Sequence, residues 1–505
     1  MKKVLFAACA AAALLVSGGV GSLQAAELRY GLPDDPDTLD PHLNRSAAGI
    51  AVLTAICERL LVSGEGLKVE PGLAQSWEWS DDGMTLTLKL TPDVQFHDGT
   101  PFNAAAVKYN LDRAMTFPTS QRKDDIGSIA EVSVVDDLTV AIRMKTQDVS
   151  ILAKLAEKAG FIIAPSAAEA AGENYGASPV CTGPFKFVER VAQDRIVVDK
   201  WPEHRNADAY KLDRITFRIV PDDAIRLTNL QAGDIDLMER LDPSLADQVQ
   251  ADSALQVLAF DTLNYQSLVL NMRGAAAEMP MSKDIRVREA FDLAIDRQAI
   301  VDVAFAGRYV AGNQFVPPSN PYYSKASPIV PRDAEKAKQI LADAGYTSPV
   351  PFTILVPNRP LAVRVAEMLQ AMTTEAGFDT KLNVVDFATT LNLTDAGNFE
   401  AWGPIGVTNA NDPDAAFYVA LHSTGNRNVG KYKNEAMDEL VSRSRTELDP
   451  EKRTEIIHQI GDIIVKDKTV IYLYHVRPLF AARSNVSGVH ATGDGFVLFD
   501  GISVE

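Results

Sequence analysis

Apolar and polar positions alternate with period two in Thr85–Leu90 (TLTLKL), the pattern of a half-buried strand. Asp81-Asp82-Gly83 just before it is turn chemistry, and Asp98-Gly99 closes the strand region. The period then changes. Asn103 stands where an N-cap belongs, ahead of Ala104–Met115, in which Val107, Leu111 and Ala114 share one helical face. Val132–Val135 and Thr139–Met144, divided by Asp136-Asp137, predict a hairpin.

The same mixture runs along the rest of the chain. Glu27–Gly31, Arg195–Lys200 and Ile215–Val220 read as strands, Leu53–Leu61 as a helix carrying Cys57, and Asp223–Ala232 as a helix closed by Gly233. The second half has the better-marked helices: Ile285–Val301 as one piece, Ala334–Ala344 between an Asp333 N-cap and Gly345, and Leu361–Ala376 ended by Gly377. In Glu451–Lys466, Asp449 is the expected N-cap and Pro450 the first helical residue, and Ile456, Ile457, Ile460, Ile463 and Ile464 form a core stripe. Strands and helices interleave throughout, so the class is α/β. No repeat of 20–50 residues and no long Pro/Gly/Ser linker marks a boundary.

The first 26 residues read as a cleavable export signal: Lys2-Lys3, the apolar run Val4–Val16, then small residues, with cleavage expected after Ala25 or Ala26. The run is too short for a spanning helix, and Cys9 lacks a lipoprotein context, so an exported periplasmic protein without a lipid anchor is expected. The remaining chain of about 480 residues exceeds the roughly 250–300 that one core supports, which predicts two or more lobes. The formal charge is −18, and loss of Lys2 and Lys3 takes it to −20, which disfavours nucleic acid and anionic membrane as partners. Two cysteines remain, Cys57 and Cys181. In an oxidising compartment a disulfide is expected, the alternative being two buried free thiols.

Catalytic signatures are missing. The chain has no G-x-x-x-x-G-K-[ST], H-E-x-x-H, G-x-S-x-G or G-x-G-x-x-G. Ser120-Gln121-Arg122-Lys123 matches S-x-x-K, but neither S-D-N nor K-T-G follows, so a penicillin-type enzyme or peptidase is only a distant alternative. The seven histidines lie singly, without zinc spacing; no catalytic residue, metal site or cofactor is expected.

Six blocks, in order, resemble the periplasmic solute-binding proteins of peptide/nickel-type ABC importers (extracellular solute-binding family 5, the dipeptide- and oligopeptide-binding type). They are Leu28–Leu43, Pro71–Met115, Val180–Val188, Ile215–Leu237, Pro280–Ile300 and Gly430–Pro478. The resemblance implies a periplasmic-binding-protein-like fold of class II (cluster C) type, two lobes around a ligand cleft. Lobe I would comprise residues 27–65, 179–262 and 477–505, with 66–178 an inserted subdomain, and lobe II residues 263–476. It implies a monomer that captures a small solute (a peptide, modified peptide or amino-acid conjugate bearing a carboxylate) and delivers it to ABC permease subunits served by separate ATPase subunits. A nickel chelate or an oligosaccharide is the alternative cargo.

It also implies site residues. Arg359, in Asn358-Arg359-Pro360, stands where dipeptide-binding relatives hold the ligand carboxylate. Trp402–Asp414 (WGPIGVTNANDPD) stands at their pocket loop, which brings in Trp402, Val407, Asn409 and Asn411. Val407 occupies the place of a pocket tryptophan, and Ala410 or Asn411 that of an aspartate which pairs with a peptide's α-amino group in those relatives. This departs from ordinary peptide recognition. Asn44 and Arg45, in the loop after the first strand, and His422, in a segment bordering the cleft, complete the expected ligand-binding set.

Overall fold

The computed structural model describes residues 26–64, 68–347, 349–406, 412–425 and 427–505. The expected export signal lies outside them, apart from Ala26.

Among the described residues the architecture rests on three larger sheets. The first has seven strands in the order Leu255–Ala259, Leu479–Arg483, Leu237–Met238, Glu27–Leu32, Arg214–Ile219, Arg195–Lys200 and Phe185–Val191. An antiparallel four-stranded sheet follows the order Ala74–Trp79, Thr85–Leu90, Thr139–Met144, Ile129–Asp136. The third has six strands in the order Val310–Ala311, Val470–His475, Tyr265–Leu270, Ala401–Ile405, Val350–Pro357, Phe378–Val385. Each packs its own apolar core: Leu28, Tyr30 and Phe217 in the first, Leu86, Leu88 and Ile142 in the second, Phe291, Phe352 and Phe378 in the third.

Several local readings hold, and two need correction. Thr85–Leu90 is a strand, and Ala104–Thr116 a helix whose Asn103 cap accepts from Ala106 N–H. Asp333 and Asp449 cap their helices through the side chain. The helix expected at Leu53–Leu61 runs instead over Ala47–Ile56. Ser46 caps it, Cys57 turns extended, and Leu61 already begins a strand, so the apolar run spans a helix end and a strand start. The single helix expected over Ile285–Val301 is two, Ile285–Leu293 and Arg297–Phe305. Asp296 breaks it, because its side chain accepts from Ala299 N–H and caps the second piece.

The first and third sheets are joined by two short crossings, residues 260–264 and 476–478. They run side by side: Val476 N–H donates to Asn264 O at 2.8 Å and Phe260 N–H to Pro478 O at 3.3 Å. In the first sheet Glu27–Leu32 runs parallel to Arg214–Ile219 and Leu237–Met238, and the crossings leave beside the carboxyl ends of these strands, where Leu241 N–H meets Leu479 O. In the third, Val350–Pro357 is parallel to its neighbours Phe378–Val385 and Ala401–Ile405, and Tyr265, where the crossing enters, pairs with His475 at the same end. Both sheets therefore turn the carboxyl ends of their parallel strands toward each other, the position where open α/β sheets bind ligands.

The four-stranded unit is fastened to the first sheet. Cys57 and Cys181, both in the core of the first sheet, form a disulfide across the 124-residue separation that contains this unit. Beside it His97 N–H donates to Cys181 O, and His97 Nε2 lies 2.8 Å from Gly183 O. Arg113 donates to both oxygens of Asp40 (3.1 and 2.6 Å) and to His42 Nδ1 at 2.7 Å, all buried.

Two predictions follow from these ties. Replacing both Cys57 and Cys181 by Ser should lower stability by about 2–5 kcal/mol in urea unfolding, since a loop this long gives up much chain entropy when cross-linked. Burial holds His42 at about 3, His97 at about 4 and His475 at about 3. The unfolded chain, with ordinary histidine values, then binds more protons below about pH 6.5, so stability should fall as pH drops from 6.5 toward 4. His97→Gln should flatten that slope, as measured by urea midpoints across the range.

Candidate functional site

Two of the three parallel strand ends facing the crossings carry polar or aromatic residues. Val350–Pro357 leads into Asn358-Arg359 and the helix Pro360–Glu375. Phe378–Val385 leads into Asp386, which caps Phe387–Ala396 through Thr389 N–H. Ala401–Ile405 leads into Gly406. Because Pro357 and Val385 are paired neighbours, Arg359 and Phe387 come together, with the guanidinium carbon 4.3 Å from the ring centroid. Arg359 is exposed, and among the described residues no carboxylate pairs with it.

Phe387 also lines a cavity of about 470 Å³ that runs from these strand ends along the sheet face, under Phe387–Ala396. Tyr265, Trp402, Ile405 and Tyr472 contribute apolar surface. The volume and mixed lining suit a small organic solute. Trp402 Nε1 is buried without a hydrogen-bond partner. Arg427, exposed and without a carboxylate partner among the described residues, lines the same cavity. A second cavity, of about 430 Å³, spans both lobes at the crossings, with Ala47 and Arg240 on one side and Asn264 and Tyr309 on the other. In its wall Glu239 lies 3.1 Å from the Tyr30 hydroxyl, and burial raises its carboxyl above the usual range, against the pull of Arg240.

The expected residues fall into three groups. Trp402 lies in the wall of the larger cavity, and Arg359 stacks on Phe387, which lines it. Val407, Asn409 and Asn411 lie outside the described residues. The rest have local partners. Asn44 is buried, and its Nδ2 donates to Asp37 (2.7 Å), Thr38 O and Ser46, which fixes the loop ahead of the Ala47–Ile56 helix. Arg45 is exposed, 3.8 Å from Asp37. His422 Nδ1 lies 2.8 Å from Thr424 Oγ1, and its ring stacks on Tyr418.

Phe387, Leu391, Tyr265, Tyr472 and Arg427 were not anticipated from the sequence. A signal existed for one of them. Asp386-Phe387 repeats the strand-end to helix-start step of Asn358-Arg359, which places both residues on one edge.

The acids after residue 411 are committed to the fold. Arg453 grips Asp412 with two bonds of 2.7 Å, both residues buried. Burial pushes the neighbouring Asp414 carboxyl up to about 6, with the Arg445 charge opposing.

Residues 68–428 match the family model described as "Bacterial extracellular solute-binding proteins, family 5 Middle". Glutathione-binding protein GsiB of Escherichia coli (strain K12) is 29% identical over 495 residues, covering 96% of this chain and 93% of the relative. The protein of that name from Salmonella typhi is 29% identical over 474 residues, covering 92% and 91%. The structure of HbpA2 from Haemophilus parasuis superposes with a TM-score of 0.84 at 25% identity, covering 95% of this chain and all of the other. The nickel ABC transporter protein from Bacillus halodurans shares the fold (TM-score 0.83, 23% identity, 95% and 100% covered).

Removing one partner of the Arg453–Asp412 pair strands a buried charge. Arg453→Ala should therefore lower stability by about 3–5 kcal/mol in chemical denaturation.

Proposed function

Because this chain belongs to family 5 of the bacterial extracellular solute-binding proteins, the binding components of ABC importers, we propose that it holds a carboxylate-bearing, peptide-class solute between its two lobes in the periplasm. The solute is released to a membrane permease driven by separate ATPase subunits, and the carrier works as a monomer without catalysing a reaction.

One observation carries the ligand class: Arg359 stacks on Phe387, a residue that lines the larger cavity, and no described carboxylate pairs with it. A planar guanidinium with its edge free takes a carboxylate through two parallel N–H···O bonds. The ring beneath fixes the plane of the fork, so little further ordering is required on binding. Trp402 Nε1 offers a second donor deeper in the cavity, suited to an amide or carboxyl oxygen. Tyr265, Ile405 and Tyr472 supply the apolar wall against which the body of the solute would lie. Two relatives are named for glutathione, a peptide with two free carboxylates, so reduced glutathione is the first probe.

Among the described residues no helix is long and apolar enough to cross a membrane, which accords with a carrier that works beside a separate permease.

Isothermal titration with glutathione and a panel of dipeptides tests the reading. Arg359→Ala should weaken binding of the responding probe at least tenfold, about 1.4 kcal/mol, with an unchanged melting temperature. Unaltered affinity in that variant would remove Arg359 from the site.

A further inference from the structure

We propose that Arg445 is a positioning residue, coupling closure of the two lobes to the helix that flanks the solute cavity. The inference rests on the reading that the solute is held between the lobes.

Arg445 lies in the last turn of Glu435–Thr446, in the lobe of the six-stranded sheet. Its Nε is 3.1 Å from Asp414 Oδ2, and its guanidinium lies 4.2 Å over the Tyr418 ring. Asp414 and Tyr418 both belong to the short helix Asp414–Ala420, whose Val419 and Ala420 line the larger cavity. One arginine thus holds both the start and the middle of a cavity wall. Asp412, just ahead of that helix, is pinned to the same lobe by Arg453, so the helix has a fixed base.

The other side of Arg445 reaches the opposite lobe. Its Nη2 is 3.4 Å from Oδ2 of Asp148, in the four-stranded subdomain, and its carbonyl accepts from Val149 N–H at 2.9 Å. The Asp148 carboxylate is fully buried. Two buried carboxylates from opposite lobes therefore share one guanidinium.

Separation of the lobes would orphan neither. Asp148 keeps Lys154 Nζ at 3.0 Å and the Ser150 hydroxyl, both within the subdomain. Arg445 keeps Asp414 and Tyr418, both within its own lobe. Breaking most buried ion pairs leaves an uncompensated charge at a cost of several kcal/mol. Here each half retains a partner, so the contact can make and break with a small difference in free energy, as a two-position element requires.

The subdomain follows the first lobe because Arg113–Asp40 and the contacts of His97 with Cys181 O and Gly183 O fix it there. Contact at Asp148 thus reports the position of that lobe as a whole.

Double electron–electron resonance on ligand-free full-length protein tests the proposal. Spin labels go on Val135→Cys in the subdomain and Val303→Cys in the other lobe, which are 61% and 63% exposed and away from the contact. The parent should show a short-distance population. Arg445→Ala and Asp148→Asn should each lower the ratio of short to long distances at least tenfold, and Arg445→Lys should restore part of it. A residue with only a structural role would lower the melting temperature and leave the distances alone. Should Arg445→Ala fail to fold, Asp148→Asn decides the matter, since it removes the charge facing Arg445 while its amide oxygen can still accept from Ser150. A parent without the short distance, or unchanged distributions in the variants, would overturn the proposal. Because no solute is present, a failure of glutathione to bind is read separately by calorimetry.

Discussion

Everything at the site depends on how few times the chain passes between the two main sheets. Two adjacent antiparallel segments, 260–264 and 476–478, carry the connection, hydrogen-bonded to each other across the gap. They emerge beside the carboxyl ends of the parallel strands in both sheets, so those ends must face one another. The residues that follow such strands are helix caps and turn residues, rich in polar groups and unpaired backbone. The cleft therefore gathers exposed chemistry without any single segment encoding a binding motif. Two thin strands also resist rotation far less than a packed interface, and domain closure in proteins is built on such elements.

The scaffold could be read from the sequence for a physical reason. Strand Thr85–Leu90 and helix Ala104–Thr116 are half-buried elements, so their burial is written as periodicity, and Asn103, Asp333 and Asp449 announce helix starts through side-chain chemistry that is local in sequence. Where the reading slipped, at 53–61 and 285–301, an apolar run continued through a change of direction at Cys57 or Asp296. Apolar residues continue on both sides of each break, so the pattern alone could not locate it.

The site was less legible. Arg359 and Trp402 stood out through the family resemblance, not through periodicity. Asn44 drew notice because the segment after the first strand could offer backbone groups to a ligand; its side-chain amide, which bonds Asp37, Thr38 and Ser46, shapes the turn that presents them. Phe387 escaped notice because its importance comes from register: Val385 lies beside Pro357, and only that pairing brings the ring under Arg359. Pairings between strands about thirty residues apart leave no local trace in the chain.

The buried fastening of Arg113 to Asp40 and His42 has a mechanical consequence. It makes the four-stranded unit a rigid outrigger on its lobe, with the pivot at the paired crossings. A slight swing at the pivot becomes a larger sweep at the outrigger's tip. If the lobes close about a solute as proposed, the tip would travel farthest, and its position would differ most between the two arrangements.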